Sequence, residues 1–172
     1  MGTRDKGWIE FQGRPLIEQV LERFAPQVGR VVISANRNLE RYAGLGFEVV
    51  PDVQPGFAGP LAGLQAAFRA TSAELLAAAP CDSPFLPLDL VARLHDGLRS
   101  SGAQVAVARA QGRTHPIFCL CRHSVQASLD DALAAGQRRL EAWCRSLPLV
   151  EVEFDDAQAF RNLNAPGDLA AG

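Results

Sequence analysis

The sequence has almost no lysine and no paired-cysteine motif. Of its 17 basic residues 16 are arginine, and Lys6 is the one lysine. The four cysteines form no Cys-x-x-Cys pair, which argues against a disulfide scaffold and is typical of a protein that keeps its thiols reduced. No apolar run reaches the roughly 18 residues that a transmembrane helix needs, and the opening residues show no signal-peptide pattern. We therefore expect a cytoplasmic protein that makes no membrane contact.

The composition is that of an ordinary globular protein. Hydrophobic residues make up 48% of the 172 residues, and charged residues make up 21%. The formal net charge of -2 argues against a broad surface for nucleic acid or for acidic membranes, so neither is expected as a partner. No linker, internal repeat or low-complexity segment interrupts the sequence, which predicts a single domain over residues 1–172.

An apolar run at residues 75–79 ends abruptly in Pro80-Cys81-Asp82-Ser83-Pro84. A short apolar run bounded by breakers is typical of a strand buried on both faces of a parallel sheet. Ligands of open α/β sheets gather beyond the carboxyl ends of the strands, so Asp82 stands where a carboxylate could hold a divalent cation over a phosphate. A turn capped by Asp82 is the alternative that these residues leave open.

Strand-like apolar segments alternate with helical patterns along the chain. The predicted strands cover residues 31–33, 47–50, 75–79, 104–110, 117–121 and 149–154, and amphipathic helical patterns lie between most of them. This alternation predicts an α/β fold with a largely parallel sheet.

Three further features fit an anionic ligand. Lys6 is kept as lysine in an arginine-rich chain, which suits phosphate binding but is equally explained by chance. Pro60 at the first position of a helix leaves backbone N–H groups for an anion, although an ordinary helix start, with Gly63 allowing close packing, explains the same residues. Arg138 and Arg139 stand at another predicted helix start, where cations oppose the helix dipole, and either a bound anion or simple solvation accounts for them.

Several short motifs follow one another in order over essentially the whole chain. They are Met1-Gly2, Asp5-Lys6-Gly7, Ser34-Ala35-Asn36-Arg37, Asp52, Gly59-Pro60-Leu61-Ala62-Gly63, Pro80-Cys81-Asp82-Ser83-Pro84, His115-Pro116, and Asn162-Leu163-Asn164 with Ala165-Pro166. Taken together they resemble the molybdenum cofactor guanylyltransferases, which transfer GMP from GTP to molybdopterin. Each motif is weak alone, whereas the ordered set is specific.

The resemblance implies a Rossmann-like nucleotidyltransferase fold with three α/β/α layers and a mostly parallel sheet. It implies GTP and molybdopterin as substrates, Mg²⁺ as the cofactor, and leaves molybdoenzymes or their chaperones open as partners. Lys6 and Asp82 are the implied catalytic residues, because Lys6 would neutralise the phosphates of GTP and Asp82 would carry the Mg²⁺.

The binding residues that the resemblance implies fall into two groups. The group on the GTP side consists of Lys6, Asn36, Asp52, Gly59, Pro60, Leu61, Gly63 and Asp82. The group on the molybdopterin side, or near the reacting phosphates, consists of His115, Arg138, Arg139, Asn162 and Asn164.

The implied chemistry needs no general base. A terminal phosphate of molybdopterin attacks the α-phosphorus of GTP, and pyrophosphate leaves. The nucleophile is already ionised near neutral pH, so the protein has only to neutralise charge and align the two groups. A cytidylyltransferase acting on the same pterin, a sugar-phosphate nucleotidyltransferase and an inactive cofactor-binding protein are the alternatives.

The start of the sequence departs from the family pattern. Members of the family begin with a strand and a loop that reads Leu-Ala-Gly-Gly, followed by Arg-Met-Gly, and this sequence starts at what resembles the Met of that last piece. The resemblance thus implies that the first strand, beside the strands at Val31 and Leu75, is missing. Either the start is misassigned and roughly 15 to 25 further residues precede it, or the chain is a truncated, inactive copy. The presence of Lys6, Asp52 and Asp82 favours the first.

Overall fold

The computed structural model describes residues 5–53 and 59–163 of the chain. The motif residues Met1, Gly2, Asn164, Ala165 and Pro166 lie outside these ranges. Within them, no helix has the length and apolarity that crossing a bilayer requires.

Eight strands and six α-helices alternate along the described residues. The strands are β1 (Glu10–Phe11), β2 (Arg14–Pro15), β3 (Val32–Ser34), β4 (Glu48–Val50), β5 (Leu75–Ala78), β6 (Val105–Ala110), β7 (Arg113–Arg122) and β8 (Leu149–Phe154). The α-helices are α1 (Leu16–Phe24), α2 (Leu39–Ala43), α3 (Pro60–Arg69), α4 (Leu90–Ser101), α5 (Gln126–Ala134) and α6 (Leu140–Arg145). Short 3-10 helices span Lys6–Trp8, Ala25–Gln27, His123–Val125 and Ala157–Phe160. The α/β class is confirmed.

The strands form three separate groups. β5, β7, β6 and β8 make a four-stranded sheet in that order, β3 pairs with β4, and β1 pairs with β2. The pairs β3–β4 and β6–β8 are parallel, as predicted, whereas β7 runs antiparallel to both β5 and β6. The reason is the two-residue connection between β6 and β7, where Gln111 and Gly112 have φ angles of 48° and 76°. Two successive positive φ angles make the tight turn of an antiparallel hairpin.

Helices cover both faces of the four-stranded sheet. On one face α4 packs against β6 and β7 through Leu90, Leu94 and Leu98, each of which is almost fully buried. On the other face α3, α5 and α6 enclose a second apolar cluster that contains the buried Trp143. The three-layer arrangement that the resemblance implies is therefore present.

β3 and β5 lie on opposite sides of a cavity and pair with different sheets. The cavity has a volume of about 870 Å³ and is lined by residues from β3, β5, α1 and α3. β3 has β4 as its one partner among the described strands, and β5 has β7.

Candidate active site

The site is organised around Asp82, which follows β5 after Pro80 and Cys81. Asp82 is only 4% exposed. Its Oδ2 atom lies 3.3 Å from Nζ of Lys6, whose side chain is 56% exposed. The two residues are 76 positions apart in the sequence, and the fold brings them together because the 3-10 helix Lys6–Trp8 lies beyond the carboxyl end of β5.

The second carboxylate oxygen of Asp82 differs from the first in having no partner among the described residues. Oδ1 is buried and accepts no hydrogen bond from the described residues. An unsatisfied buried polar atom costs about 1–3 kcal/mol, so a cation or a donor at this atom would be favourable. The described residues contain no cluster of three or more acidic, histidine or cysteine side chains that could hold a metal by themselves. A metal here would rely on Asp82 together with substrate phosphates and water, which is the usual arrangement for Mg²⁺.

The backbone around Asp82 is fixed by the last described residues. The N–H of Leu163 donates a hydrogen bond of 2.9 Å to the carbonyl oxygen of Asp82. The hydroxyl of the fully buried Ser83 donates a hydrogen bond of 2.7 Å to Oδ1 of Asn162. Asn162, which the resemblance places on the molybdopterin side, thus lies directly beside the Asp82 segment.

His115 lies on β7 and packs against the 3-10 helix that precedes Asn162. Its ring stacks on Phe160, with ring centroids 4.9 Å apart and an angle of 22° between the planes. Burial, and then the neighbouring charge of Arg113, lower the pKa of His115 below its ordinary value. The imidazole is therefore held neutral at physiological pH.

Asn36 and Asp52 meet at the carboxyl ends of β3 and β4. Nδ2 of Asn36 donates a hydrogen bond of 2.8 Å to Oδ2 of Asp52. The backbone N–H of Asp52 in turn donates a hydrogen bond of 2.8 Å to Oδ1 of Asn36. Both residues line the same cavity as Asp5 and Cys81, the neighbours of Lys6 and Asp82. The sequence motifs on the two sides of the cavity therefore face one cleft.

The segment from Gly59 to Gly63 begins α3 at the mouth of the cavity. Gly59 precedes the helix with a φ of 149°, a conformation that favours glycine. A Cβ at Gly63 would lie 2.9 Å from Oγ of Ser34, so this glycine lets α3 approach β3 closely. Gly59, Pro60 and Gly63 line the cavity, whereas the side chain of Leu61 is 1% exposed and packs in the core. Any contact of Leu61 with a ligand is thus limited to its backbone.

Arg138 and Arg139 immediately precede α6. Oε1 of Gln137 accepts hydrogen bonds of 2.9 Å from the backbone N–H groups of both arginines. The Gln137 side chain therefore satisfies the backbone N–H groups of the two residues that precede α6.

Asp5 and Tyr42 are structural parts of the site, and neither is among the catalytic or binding residues that the resemblance implies. The hydroxyl of Tyr42 donates a hydrogen bond of 2.6 Å to Oδ1 of Asp5, and Nδ2 of Asn38 donates one of 2.8 Å to Oδ2. Burial, followed by this hydrogen bond to Asp5, raises the pKa of Tyr42, which keeps the hydroxyl protonated as a donor. A Cβ at Gly7 would lie 2.6 Å from Oη of Tyr42, so glycine is required beside Lys6. The one sequence signal for this arrangement is the Asp5-Lys6-Gly7 motif.

Two solved structures share this fold. Molybdopterin-guanine dinucleotide biosynthesis protein A from Archaeoglobus fulgidus matches with a TM-score of 0.78 over 96% of this chain and 87% of that chain, at 24% identity. The 2-C-methyl-D-erythritol 4-phosphate cytidylyltransferase from Thermus thermophilus matches with a TM-score of 0.73 over 98% of this chain and 92% of that chain, at 21% identity. The predicted Rossmann-like nucleotidyltransferase fold is confirmed, which gives the fold class of the protein.

Sequence comparison narrows this class to a family. The model of the MobA-like NTP transferase domain matches residues 1–152. The molybdenum cofactor guanylyltransferase of Burkholderia ambifaria (strain MC40-6) is 47% identical over 180 residues, which cover 99% of this chain and 88% of that protein. The protein of the same name from Polynucleobacter asymbioticus is 44% identical over 173 residues, covering 98% and 87%. The chain belongs to the molybdenum cofactor guanylyltransferase family, as the sequence motifs predict, and it is an enzyme of the nucleotidyltransferase class.

The charge of Asp82 can be measured through the neighbouring thiol. Burial, and then the negative charge of Asp82, raise the pKa of Cys81 to about 12. Replacing Asp82 by asparagine removes that charge and lowers the pKa of Cys81, so alkylation of Cys81 at about pH 8 should become several-fold faster because more thiolate is present. Mass spectrometry of the iodoacetamide-modified protein measures the rate at this residue.

The matched control for this measurement is Asp52→Asn, which removes the same charge from the other side of the cavity. It should leave the alkylation rate of Cys81 nearly unchanged. An equal acceleration in both variants would contradict a specific effect of Asp82 on this thiol.

Proposed function

We propose that the chain transfers GMP from GTP to molybdopterin, forming the guanine dinucleotide cofactor and releasing pyrophosphate. The observation that carries this proposal is the buried carboxylate of Asp82, paired with Lys6 beside the cleft that Asn36 and Asp52 border. The names of the relatives in the molybdenum cofactor guanylyltransferase family supply the substrates. We further propose that residues 1–172 act as one catalytic domain.

The reaction joins two anionic groups, so charge neutralisation is its main requirement. An oxygen of the terminal phosphate of molybdopterin forms a bond to the α-phosphorus of GTP, and the bond from that phosphorus to the bridging oxygen of pyrophosphate breaks. Lys6 carries an exposed ammonium group at the point where the phosphates would meet. A compact ammonium on a flexible stem is well suited to follow the charge as it moves to the leaving pyrophosphate.

Mg²⁺ is the proposed cofactor, and Asp82 is the residue that would hold it. The buried, unpartnered Oδ1 atom fits a hard cation that prefers oxygen ligands. When bound, Mg²⁺ supplies additional neutralisation of the phosphate charge. Lys6, which now contacts Oδ2, then turns to the phosphates.

The two substrates are proposed to occupy the two sides of the Asp82–Lys6 pair. Asn36, Asp52 and the cavity-facing residues of the Gly59–Gly63 segment form the GTP side, where the Asn36–Asp52 hydrogen bonds fix both side chains in place. For the molybdopterin side we propose His115, whose ring stacks on Phe160, and Asn162, whose amide is bonded to Ser83 beside Asp82.

Arg138 and Arg139 are proposed to act on the molybdopterin side through their side-chain charges alone, because Gln137 already accepts hydrogen bonds from their backbone N–H groups. Asn164 is proposed for the same side, but it lies outside the described residues.

We propose that the protein acts in the cytoplasm. All four cysteines are free thiols, which fits a reducing compartment. Molybdoenzymes or their chaperones, which would receive the finished cofactor, are the proposed protein partners.

The experiment that tests the function is nucleotide transfer to molybdopterin with labelled GTP or CTP. We expect incorporation of GMP with release of pyrophosphate, and little incorporation of CMP. Asp82→Asn should lower the turnover by about 100-fold or more, as is typical when a group that stabilises transition-state charge is removed.

Asp96→Asn serves as the control in this assay, because Asp96 is an exposed residue of α4 whose side chain is 71% exposed. This variant should retain the turnover of the unmodified chain. Preferential use of CTP would identify a cytidylyltransferase instead, in line with the cytidylyltransferase that shares the fold. Binding of molybdopterin without any turnover would support the inactive cofactor-binding protein.

The role of Mg²⁺ has a test that does not depend on turnover. A cation at Asp82 would offset the negative charge that raises the pKa of Cys81. Relative to GTP alone, Mg²⁺ together with GTP should therefore accelerate the alkylation of Cys81 in the unmodified chain and have no such effect in Asp82→Asn. Equal acceleration by Mg²⁺ in both proteins would contradict metal binding at Asp82.

A further inference from the structure

Asp5 has a hydrogen-bond partner on each of its two carboxylate oxygens. The hydroxyl of Tyr42 donates to Oδ1 at 2.6 Å, and Nδ2 of Asn38 donates to Oδ2 at 2.8 Å. The backbone carbonyl of Asp5 accepts a further hydrogen bond of 3.2 Å from the N–H of Trp8, which closes the 3-10 turn around Lys6. We call Asn38, Tyr42 and Asp5 the Asp5 clamp. Because Asp5 opens this turn, its two donors fix the backbone from which the Lys6 side chain extends.

Tyr42 also contacts the residues that follow Lys6. It is 4% exposed, and its ring centroid lies 5.1 Å from that of Trp8. The guanidinium group of Arg41 lies over the Trp8 ring, 3.8 Å from its centroid. A Cβ at Gly7 would lie 2.6 Å from Oη of Tyr42, so the backbone there runs directly against the hydroxyl. One buried tyrosine of α2 therefore bounds the turn on both sides of the lysine.

The side chain of Lys6 is long and mostly exposed to solvent. It is 56% exposed, and its Nζ atom lies 3.3 Å from Oδ2 of Asp82. An ion pair with one exposed partner gains little, and fixing a lysine side chain costs rotamer entropy. The backbone turn that carries the ammonium group therefore largely decides where that group lies. Without its two donors, the neighbouring carboxylate of Asp5 would compete with Asp82 for the same ammonium group.

The Asp5 clamp also joins Lys6 to the proposed GTP side of the cleft. Asn38 lies two positions after Asn36, whose side chain is bonded to Asp52. Asn38 adopts the left-handed conformation at the start of α2, with a φ of 51° and a ψ of 34°. Asparagine is one of the few residues other than glycine that tolerate this conformation, and here its side chain supplies a donor as well. The loop on the GTP side and the turn that carries Lys6 are therefore connected through Asp5.

We propose that Tyr42 is a positioning residue for the reaction, which acts through Asp5 to hold the ammonium group of Lys6 beside Asp82, where the phosphates of GTP bind. Asn38 supports the same carboxylate from the loop on the GTP side. The phosphate role of Lys6 rests on the proposed function, whereas the placement of Lys6 beside Asp82 does not. The alternative is that Tyr42 only stabilises the fold, and the two roles predict different results.

The first experiment measures the affinity for Mg-GTP by calorimetry in Tyr42→Phe. This variant keeps the ring that packs on Trp8 and removes the hydrogen bond to Asp5. We expect the dissociation constant to rise about three- to tenfold, because the effect is transmitted through Lys6 and coupled residues typically interact on this scale. The same substitution in a Lys6→Met background should cause no further rise. An equal rise in both backgrounds would overturn the proposal, since a purely structural role does not depend on Lys6.

Thr114→Val is the matched control for Tyr42→Phe. The hydroxyl of Thr114 donates a hydrogen bond of 3.0 Å to Oε1 of Glu151, so this variant also removes a bond from a hydroxyl to a carboxylate while it keeps the shape of the side chain. The bond joins β7 to β8, and neither residue is among the described residues that line the cavity. Thr114→Val should bind Mg-GTP as the unmodified chain does. A loss equal to that in Tyr42→Phe would contradict a specific effect of the Asp5 clamp.

The second experiment observes Lys6 without any substrate. Because Lys6 is the one lysine of the 172-residue sequence, reductive methylation with isotope-labelled formaldehyde labels its ammonium group and the α-amino group alone. The methylated ammonium group keeps its positive charge, and its NMR signal reports the neighbouring carboxylate of Asp82. In Tyr42→Phe this signal should move toward its position in Asp82→Asn, and in Thr114→Val it should stay where it is. An unchanged Lys6 signal in Tyr42→Phe would overturn the proposal.

Asn38→Gly keeps the proposal testable if Tyr42→Phe does not fold. The φ of 51° at this position suits glycine, so the substitution removes the second donor to Asp5 without backbone strain. It should move the Lys6 signal in the same direction as Tyr42→Phe, and the absence of any shift would reject the positioning role of the clamp. If the unmodified chain binds no Mg-GTP, the proposed function fails, whereas the Lys6 signal still decides the role of Tyr42.

Discussion

The contact between Asp82 and Lys6 is the interaction on which the site depends. A carboxylate that is 4% exposed has lost most of its water, and a nearby opposite charge offsets that cost only if the fold holds both groups in place. Hydrogen bonds hold both members of the pair in place. Leu163 fixes the backbone of Asp82 with a hydrogen bond, and Tyr42 and Asn38 anchor Asp5, the residue next to Lys6.

The position of Asp82 could be predicted from the sequence because it depends on a local pattern. An apolar run followed by Pro80 predicts a strand end, and strand ends of α/β sheets are where ligands bind. That Lys6 acts together with Asp82 was predicted only from the family resemblance, because no local sequence pattern links the two residues. The same holds for Asn36 and Asp52, which the motifs place at strand ends and which the structure shows bound to each other.

Other features depend on contacts between residues distant in the sequence, and no local pattern reports these. The stacking of His115 on Phe160 joins β7 to a 3-10 helix far along the chain, and the bond from Ser83 to Asn162 spans 79 positions. Leu61 belongs to a motif but packs in the core, because the face that a helical residue presents depends on how the whole helix docks. The antiparallel direction of β7 has a local cause instead, the two positive φ angles at Gln111 and Gly112, but an isolated Gln-Gly pair is a weak signal of such a turn.

The most direct test of the charge pair is the affinity for Mg-GTP measured by calorimetry in Lys6→Met. If Lys6 meets the phosphates beside Asp82, the dissociation constant should rise about tenfold or more, which corresponds to ~1.4 kcal/mol. Arg145→Met is the matched control, since Arg145 also pairs with carboxylates, Glu141 at 3.2 Å and Glu151 at 3.6 Å, and it should bind Mg-GTP normally. An unchanged affinity in Lys6→Met, or an equal loss in both variants, would contradict the role of the Asp82–Lys6 pair.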